Sequence, residues 1–128
     1  MEMKLEVVPL PVSNVDESLT FYKDKVGFHL DHDVEPGNGM RIIQLTPPGS
    51  ACSIVFGNGM GDDSDRLGSV KNLHLVVKDI DDIRAELTGR GVNVGEVIDM
   101  GGVKYAYFED PDGNSWALQE IDKNAKPE

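Results

Sequence analysis

The chain has 128 residues, 39% of them hydrophobic and 27% charged. That balance fits one globular domain and excludes a disordered, collagenous or disulfide-built chain. The formal charge is −11, with 4 basic and 10 acidic residues in 1–64 and 8 and 13 in 65–128, so the excess is no acidic tail. Such a surface repels nucleic acid and anionic membrane. No apolar run approaches the ~18 residues of a membrane span. The start, Met1 to Glu6, lacks the basic and long apolar stretches of a signal peptide. The lone Cys52 allows no internal disulfide and fits a reducing, cytoplasmic setting.

The first predicted element is a strand, Leu5 to Val12, with Val8, Leu10 and Val12 on one face and Val7, Pro9 and Pro11 on the other. Two prolines cannot donate to a ladder, which places this strand at an edge. Ser13 or Asn14 caps a helix to about Lys25, with Val15, Leu19 and Tyr22 as its apolar stripe, Ser18 on the same side and Phe21 beside it. Gly27 stops it. A meander follows: strand Phe28–Val34, turn Glu35–Gly39, strand Met40–Leu45, turn Thr46–Ser50, strand Ala51–Phe56. Gly57–Gly68 is polar and glycine-rich and reads as a mobile linker.

The order then repeats. Asn72–Val77 is a strand, and Asp79 caps a helix from about Ile80 to Arg90 with the stripe Ile80, Ile83 and Leu87. Gly91 ends it. Strands Val92–Ile98, Val103–Phe108 and Ser115–Ile121 complete the set, and the polar tail Asp122–Glu128 is expected to fray. Val12 matches Val77, Asn14 matches Asp79 and Val15 matches Ile80, all at an offset of 65. The chain therefore reads as two βαβββ modules, about 4–57 and 71–121, joined by a linker at about 58–70. The fold class is α+β: two paired modules forming a cupped mixed sheet with helices on its outer face.

Strand parity sorts the side chains. Val8, Leu10, Val12, Cys52, Ile54, Phe56, Leu73, Leu75, Val77, Trp116 and Leu118 should pack under the helices. The opposite, concave face carries Val7, Pro9, Ala51, Ser53, Val55, His74, Val76, Ala117 and Gln119, joined by Tyr105, Tyr107, Ile42 and Gln44. Apolar walls with two phenols, two amides and an imidazole suit a small-molecule site. The same side chains could instead fill the hollow or meet a partner subunit.

The strings SNVDESLTFYKDKVGF, LHLVVKDIDDIRAELTGRGV and AYFEDPDGNSWALQE, in this order, resemble the vicinal oxygen chelate superfamily. The nearest likeness is its glyoxalase, bleomycin-resistance and dioxygenase group, over about residues 4–121. The DPDGN turn, followed by a strand ending in Gln119-Glu120, is the most specific part. The resemblance implies a cupped sheet, often in a homodimer, and in metal-dependent members four ligands on the first and last strand of each module. Here those positions fall at Val7, Ala51, His74 and Ala117, and of these His74 alone can coordinate a metal. One imidazole does not hold such an ion against water. No metal, cofactor or catalytic residue is therefore assigned.

Other constellations are weaker. His29 and His32 should lie on opposite faces of their strand, separating the imidazoles. Cys52 falls on the helix side, where it acts as a small hydrophobe. The Gly57-Asn58-Gly59-Met60-Gly61 stretch has no helix start after it to receive a phosphate. The expectation is a cytoplasmic, homodimeric, metal-independent protein that binds a small organic molecule through His74, Tyr105, Tyr107, Gln44, Gln119, Ser53 and Ile42. The acidic surface suits a cationic ligand. The imidazole of His74 is expected to contact that ligand or to bond to Gln119, Ser53 or a tyrosine. The rival is an enzyme of lyase, isomerase, transferase or dioxygenase type, using His74 as acid/base or as part of a metal site.

Overall fold

The computed structural model describes residues 1–61 and 64–121. The polar tail 122–128 expected to fray lies outside them, as do Asp62 and Asp63 of the linker.

Both modules form as their sequence patterns require. In the first, β1 (Val7–Pro9) is followed by α1 (Val15–Thr20), a π-helical continuation (Phe21–Val26), β2 (His29–Gly37), β3 (Met40–Thr46) and β4 (Ser53–Asn58). The second comprises β5 (Leu73–Val76), α2 (Ile80–Gly89), β6 (Ile98–Asp99), β7 (Val103–Glu109) and β8 (Ser115–Ile121). Each makes a four-stranded mixed sheet, in the order β1-β4-β3-β2 and β5-β8-β7-β6. The first strand of each pairs parallel with the last. The two sheets do not join into one.

Helix caps explain the helix starts. The Asn14 side chain accepts from the Glu17 amide at 2.9 Å and Asp79 accepts from the Asp82 amide at 3.1 Å. Gly27 and Gly91 both take the left-handed conformation, at φ +94, that lets the chain leave the helix. The first helix differs from its expected form, because its last six residues are π-helical. Within this wider turn Phe21, Tyr22 and Val26 are all buried.

The meander runs longer than expected at two points. β2 continues to Gly37, and the hairpin turns on Asn38-Gly39 alone, both at positive φ, as a two-residue loop favours. Ala51 and Cys52 lie ahead of β4, which instead runs on to Asn58. The expected strand Val92–Ile98 shrinks to Ile98–Asp99. Val92 and Val94 are buried, but Arg84 reaches over from α2 and takes the carbonyls of Val94 and Gly95. Those carbonyls are thereby satisfied without a strand partner.

One core serves both modules. It joins Ile43, Leu45, Ile54 and Phe56 of the first sheet to Ala106, Phe108, Trp116 and Leu118 of the second. Tyr22 sits between them, its ring 6.0 Å from Phe56 and 5.8 Å from Trp116. Its hydroxyl donates to Asp110 Oδ2 at 2.7 Å and accepts from Trp116 Nε1 at 3.0 Å. The DPDGN turn is built around the same carboxylate. Asp110 Oδ1 accepts from the amides of Asp112 and Asn114, and Oδ2 from Asn114 Nδ2. Asn114 Nδ2 also donates to the Pro11 carbonyl, and Asp112 Oδ2 accepts from the Ser13 amide. This motif therefore fastens the second module to the strand end and helix start of the first. Arg90 adds a second clasp, donating to the carbonyls of Lys25 and Val26.

The edge position expected from the prolines is observed for β1. Leu10 donates its amide to Val55, so in alternation the Pro9 nitrogen faces the open border of the sheet, where no donor is required.

Candidate functional site

Because both sheets turn their helix-covered faces to the shared core, their other faces point away from it. The seven expected site residues consequently form two groups on two sheets.

The second sheet holds His74, Tyr105, Tyr107 and Gln119. Register puts His74, Ala117 and Tyr107 in one row, and Val76, Gln119, Tyr105 and Ile98 in the next. Tyr105 and Tyr107 lie nearly parallel, with ring centroids 6.2 Å apart and 11° between planes. His74 meets Tyr105 edge-on at 6.0 Å. Gln119 Nε2 donates to the Tyr105 hydroxyl at 3.3 Å. The expected polar partner of His74 is corrected: Nδ1 lies 2.7 Å from the Asn72 carbonyl, which can only accept. Nδ1 therefore carries the proton in the neutral ring, and Nε2 presents a lone pair. This face is open, with Val76 68% and Tyr107 41% exposed.

The first sheet holds Ile42, Gln44 and Ser53. Its rows are Val7, Ser53, Thr46 and His29, then Pro9, Val55, Gln44 and His32, then Gly57, Ile42 and Val34. The register slips between Leu30 and His32, and this bulge leaves Asp31 unpaired. One extra residue reverses the parity beyond it, so His29 and His32 share a face, contrary to the alternation expected from the sequence. Asp31 also turns to this face, where Thr46 Oγ1 donates to its Oδ2. Nothing in the local sequence announces the bulge, although the acidic, non-alternating run Asp31-His32-Asp33 is compatible with one. On the other face, Asp33 pairs with Arg41, which also reaches Asp16 of α1 at 2.7 Å. That contact links β2 and β3 to α1 past the bulge.

Register also adjusts the positions implied by the family. Val7 stands opposite Ser53, not Ala51. The two rows that could have carried ligands are thus Val7 with Ser53, and His74 with Ala117. A valine and a serine in one row, and an alanine with one imidazole in the other, do not fit a divalent ion. Among the described residues, no three or more His, Cys, Asp or Glu side chains are grouped to hold a metal.

A cavity of about 550 Å³ lies elsewhere, at the seam between modules. Phe28, Pro48, Leu75, Ile83 and Arg90 line it, and of the seven expected residues only His74 reaches it. Cys52 is half-buried, and its thiol lies 3.9 Å from the Ser53 carbonyl. No helix among the described residues is long and apolar enough to cross a membrane.

The DPDGN turn and the paired modules define a class. A model of the Glyoxalase/Bleomycin resistance protein/Dioxygenase superfamily matches residues 4–118, and the chain belongs to that superfamily. Among solved structures it is similar to TnmS3, an antibiotic binding protein from Streptomyces sp. CB03234. The two are 32% identical over 94% of this chain and 97% of that one, with a TM-score of 0.77. A glyoxalase/bleomycin resistance protein from the same organism is 34% identical, over 90% and 98%, with a TM-score of 0.71. A superfamily member from Sphaerobacter thermophilus is 28% identical, over 93% and 98%, with a TM-score of 0.79. No curated protein sequence matches the chain.

Proposed function

We propose that this protein binds a small organic molecule without a metal, as a cytoplasmic homodimer. In this dimer the open face of one sheet closes against the partner's other sheet. The observation that carries the reading is the pair of parallel, solvent-facing tyrosines Tyr105 and Tyr107, flanked by His74 and Gln119, on a sheet face that has no cover of its own. Parallel phenols offer a flat surface for a conjugated ring, and Gln119 and His74 Nε2 offer polar contacts at its edge. Exposed Val7, Val76 and Ile98 on the same faces favour cover by a second copy. Ile42, Gln44 and Ser53 then complete the cup from the partner's sheet. The antibiotic-binding neighbour supports an organic ligand of that general kind.

The test is a thermal-shift screen of natural-product-like aromatics, with native mass spectrometry of the purified protein for a co-purified guest. A hit present at a hundred times its Kd raises stability by about 2.7 kcal/mol. Tyr107→Ala should abolish that rise while leaving the unliganded melting temperature nearly unchanged. A screen with no saturable hit refutes the reading.

A second reading has one observation in its favour. With Nδ1 held by Asn72, His74 Nε2 is free to exchange a proton with a bound substrate. Saturable methylglyoxal–thiol turnover, with or without added Ni²⁺, Zn²⁺ or Fe²⁺, that is lost in His74→Gln would replace binding by catalysis.

A further inference from the structure

The bulge in β2 places a carboxylate where the strand pattern would not. Asp31 turns onto the open face of the first sheet, with its side chain 22% exposed. Its Oδ2 accepts the Thr46 hydroxyl proton. Thr46 has only one proton to give, so the 2.6 Å contact between Thr46 Oγ1 and Ser53 Oγ must be donated by Ser53. The chain of donation therefore runs from Ser53 to Thr46 to Asp31.

This direction has a chemical consequence. Both hydroxyl protons are spent inside the row. What the row offers outward is acceptor capacity at Asp31 Oδ1, because Ser53 is buried. The His29 imidazole Nε2 lies 3.7 Å from Oδ1, and its side chain is 77% exposed. That is too long for a hydrogen bond and too wet for a strong ion pair. At positions where register is defined, neither open sheet face carries a lysine or an arginine. The other acid there is Glu109, at the end of β7.

Resting on the small-molecule reading above, we infer that the site selects ligands that join a flat ring to a protonated amine, with Asp31 Oδ1 receiving the ammonium. The ring lies on the tyrosine pair and the charge meets the bulge of the facing sheet. The −11 net charge raises the local concentration of such cations, and Asp31 supplies the fixed point.

The test compares two fluorescent probes that share one ring system, 10-(2-aminoethyl)acridone (an ammonium at pH 7) and acridone (neutral), titrated against the full-length protein. Wild type is expected to prefer the cation by about tenfold. Asp31→Asn, whose amide oxygen can still accept from Thr46, should erase that preference and leave acridone affinity within twofold. Asp31→Ser repeats the measurement should the asparagine variant melt early. Glu109→Gln removes the same unit of net charge and should keep the preference. Equal binding of both probes by wild type, a preference surviving in both Asp31 variants, or an equal loss in Glu109→Gln overturns the inference and leaves the small-molecule reading standing. No saturable binding of either probe, together with an empty ligand screen, removes that reading and the inference with it.

Discussion

Replacing Tyr22 by Phe removes one oxygen from the centre of the molecule. That oxygen is fully buried and makes two hydrogen bonds, one to a carboxylate and one from an indole. Losing a bond to a charged acceptor costs about 1.5–3 kcal/mol, and a stranded buried donor, here Trp116 Nε1, costs about 1–3 kcal/mol more. Asp110 keeps three other donors, from the amides of Asp112 and Asn114 and from Asn114 Nδ2, so its charge stays satisfied. The total therefore sits near the lower end, at about 3 kcal/mol. For a chain of this length that lowers the melting temperature on the order of 10 °C. Urea unfolding at fixed protein concentration measures it, with Tyr105→Phe as the control. The control's hydroxyl only meets Gln119 at 3.3 Å on an open face, so its change should stay within about 0.5 kcal/mol. A Tyr22→Phe loss below about 1 kcal/mol would refute the argument that this hydroxyl ties the two modules together.

Three further outcomes are expected. Burial, and then the Asp110 charge, push the Tyr22 phenol well above its ordinary value near 10, so the folded state keeps it protonated. The unfolded chain releases that proton above about pH 10, and stability should then fall by about 1.4 kcal/mol per pH unit; this slope should be shallower in Tyr22→Phe, as read by urea titrations between pH 9 and 11. A Cβ on Gly57 would lie 1.8 Å from the Arg41 carbonyl oxygen, so Gly57→Ala must shift β4 against β3 and should cost about 2–3 kcal/mol in the same assay. Ser18 is fully buried, and its hydroxyl has no hydrogen-bond partner among the described residues; Ser18→Ala should hold stability level or raise it by about 1 kcal/mol in thermal melts.

Much of the fold was legible because its signals are local. Asn14 and Asp79 announce their helices through caps, Gly27 and Gly91 end them, and parity sorts Ile54, Phe56, Trp116 and Leu118 to the core correctly. The failures have long-range causes. Val92–Val97 alternates like a strand, but the Arg84 side chain takes the carbonyls of Val94 and Gly95. The π-helical turn Phe21–Val26 has no signal in the apolar stripe, which reads equally well as an α-helix. The β2 bulge decides where His29, Asp31 and His32 point, and past it Arg41 reaches Asp33 and the distant Asp16. Composition does not reveal such contacts. The site was half legible for the same reason. Parity alone put the candidate residues Tyr105, Tyr107, His74, Gln119, Ile42, Gln44 and Ser53 on faces turned away from the helices. Their division between two outward faces depends on Tyr22 and the DPDGN turn drawing the opposite faces together.

The proline at the rim of the first sheet limits how these molecules can stack. An uncapped rim of amides and carbonyls invites one strand after another to add on, the route to fibres. Pro9 leaves that rim short of a donor, over a strand only three residues long. Self-association through it therefore gains little from the backbone and must draw its strength from side chains that fit, which favours a finite pair over an endless ribbon.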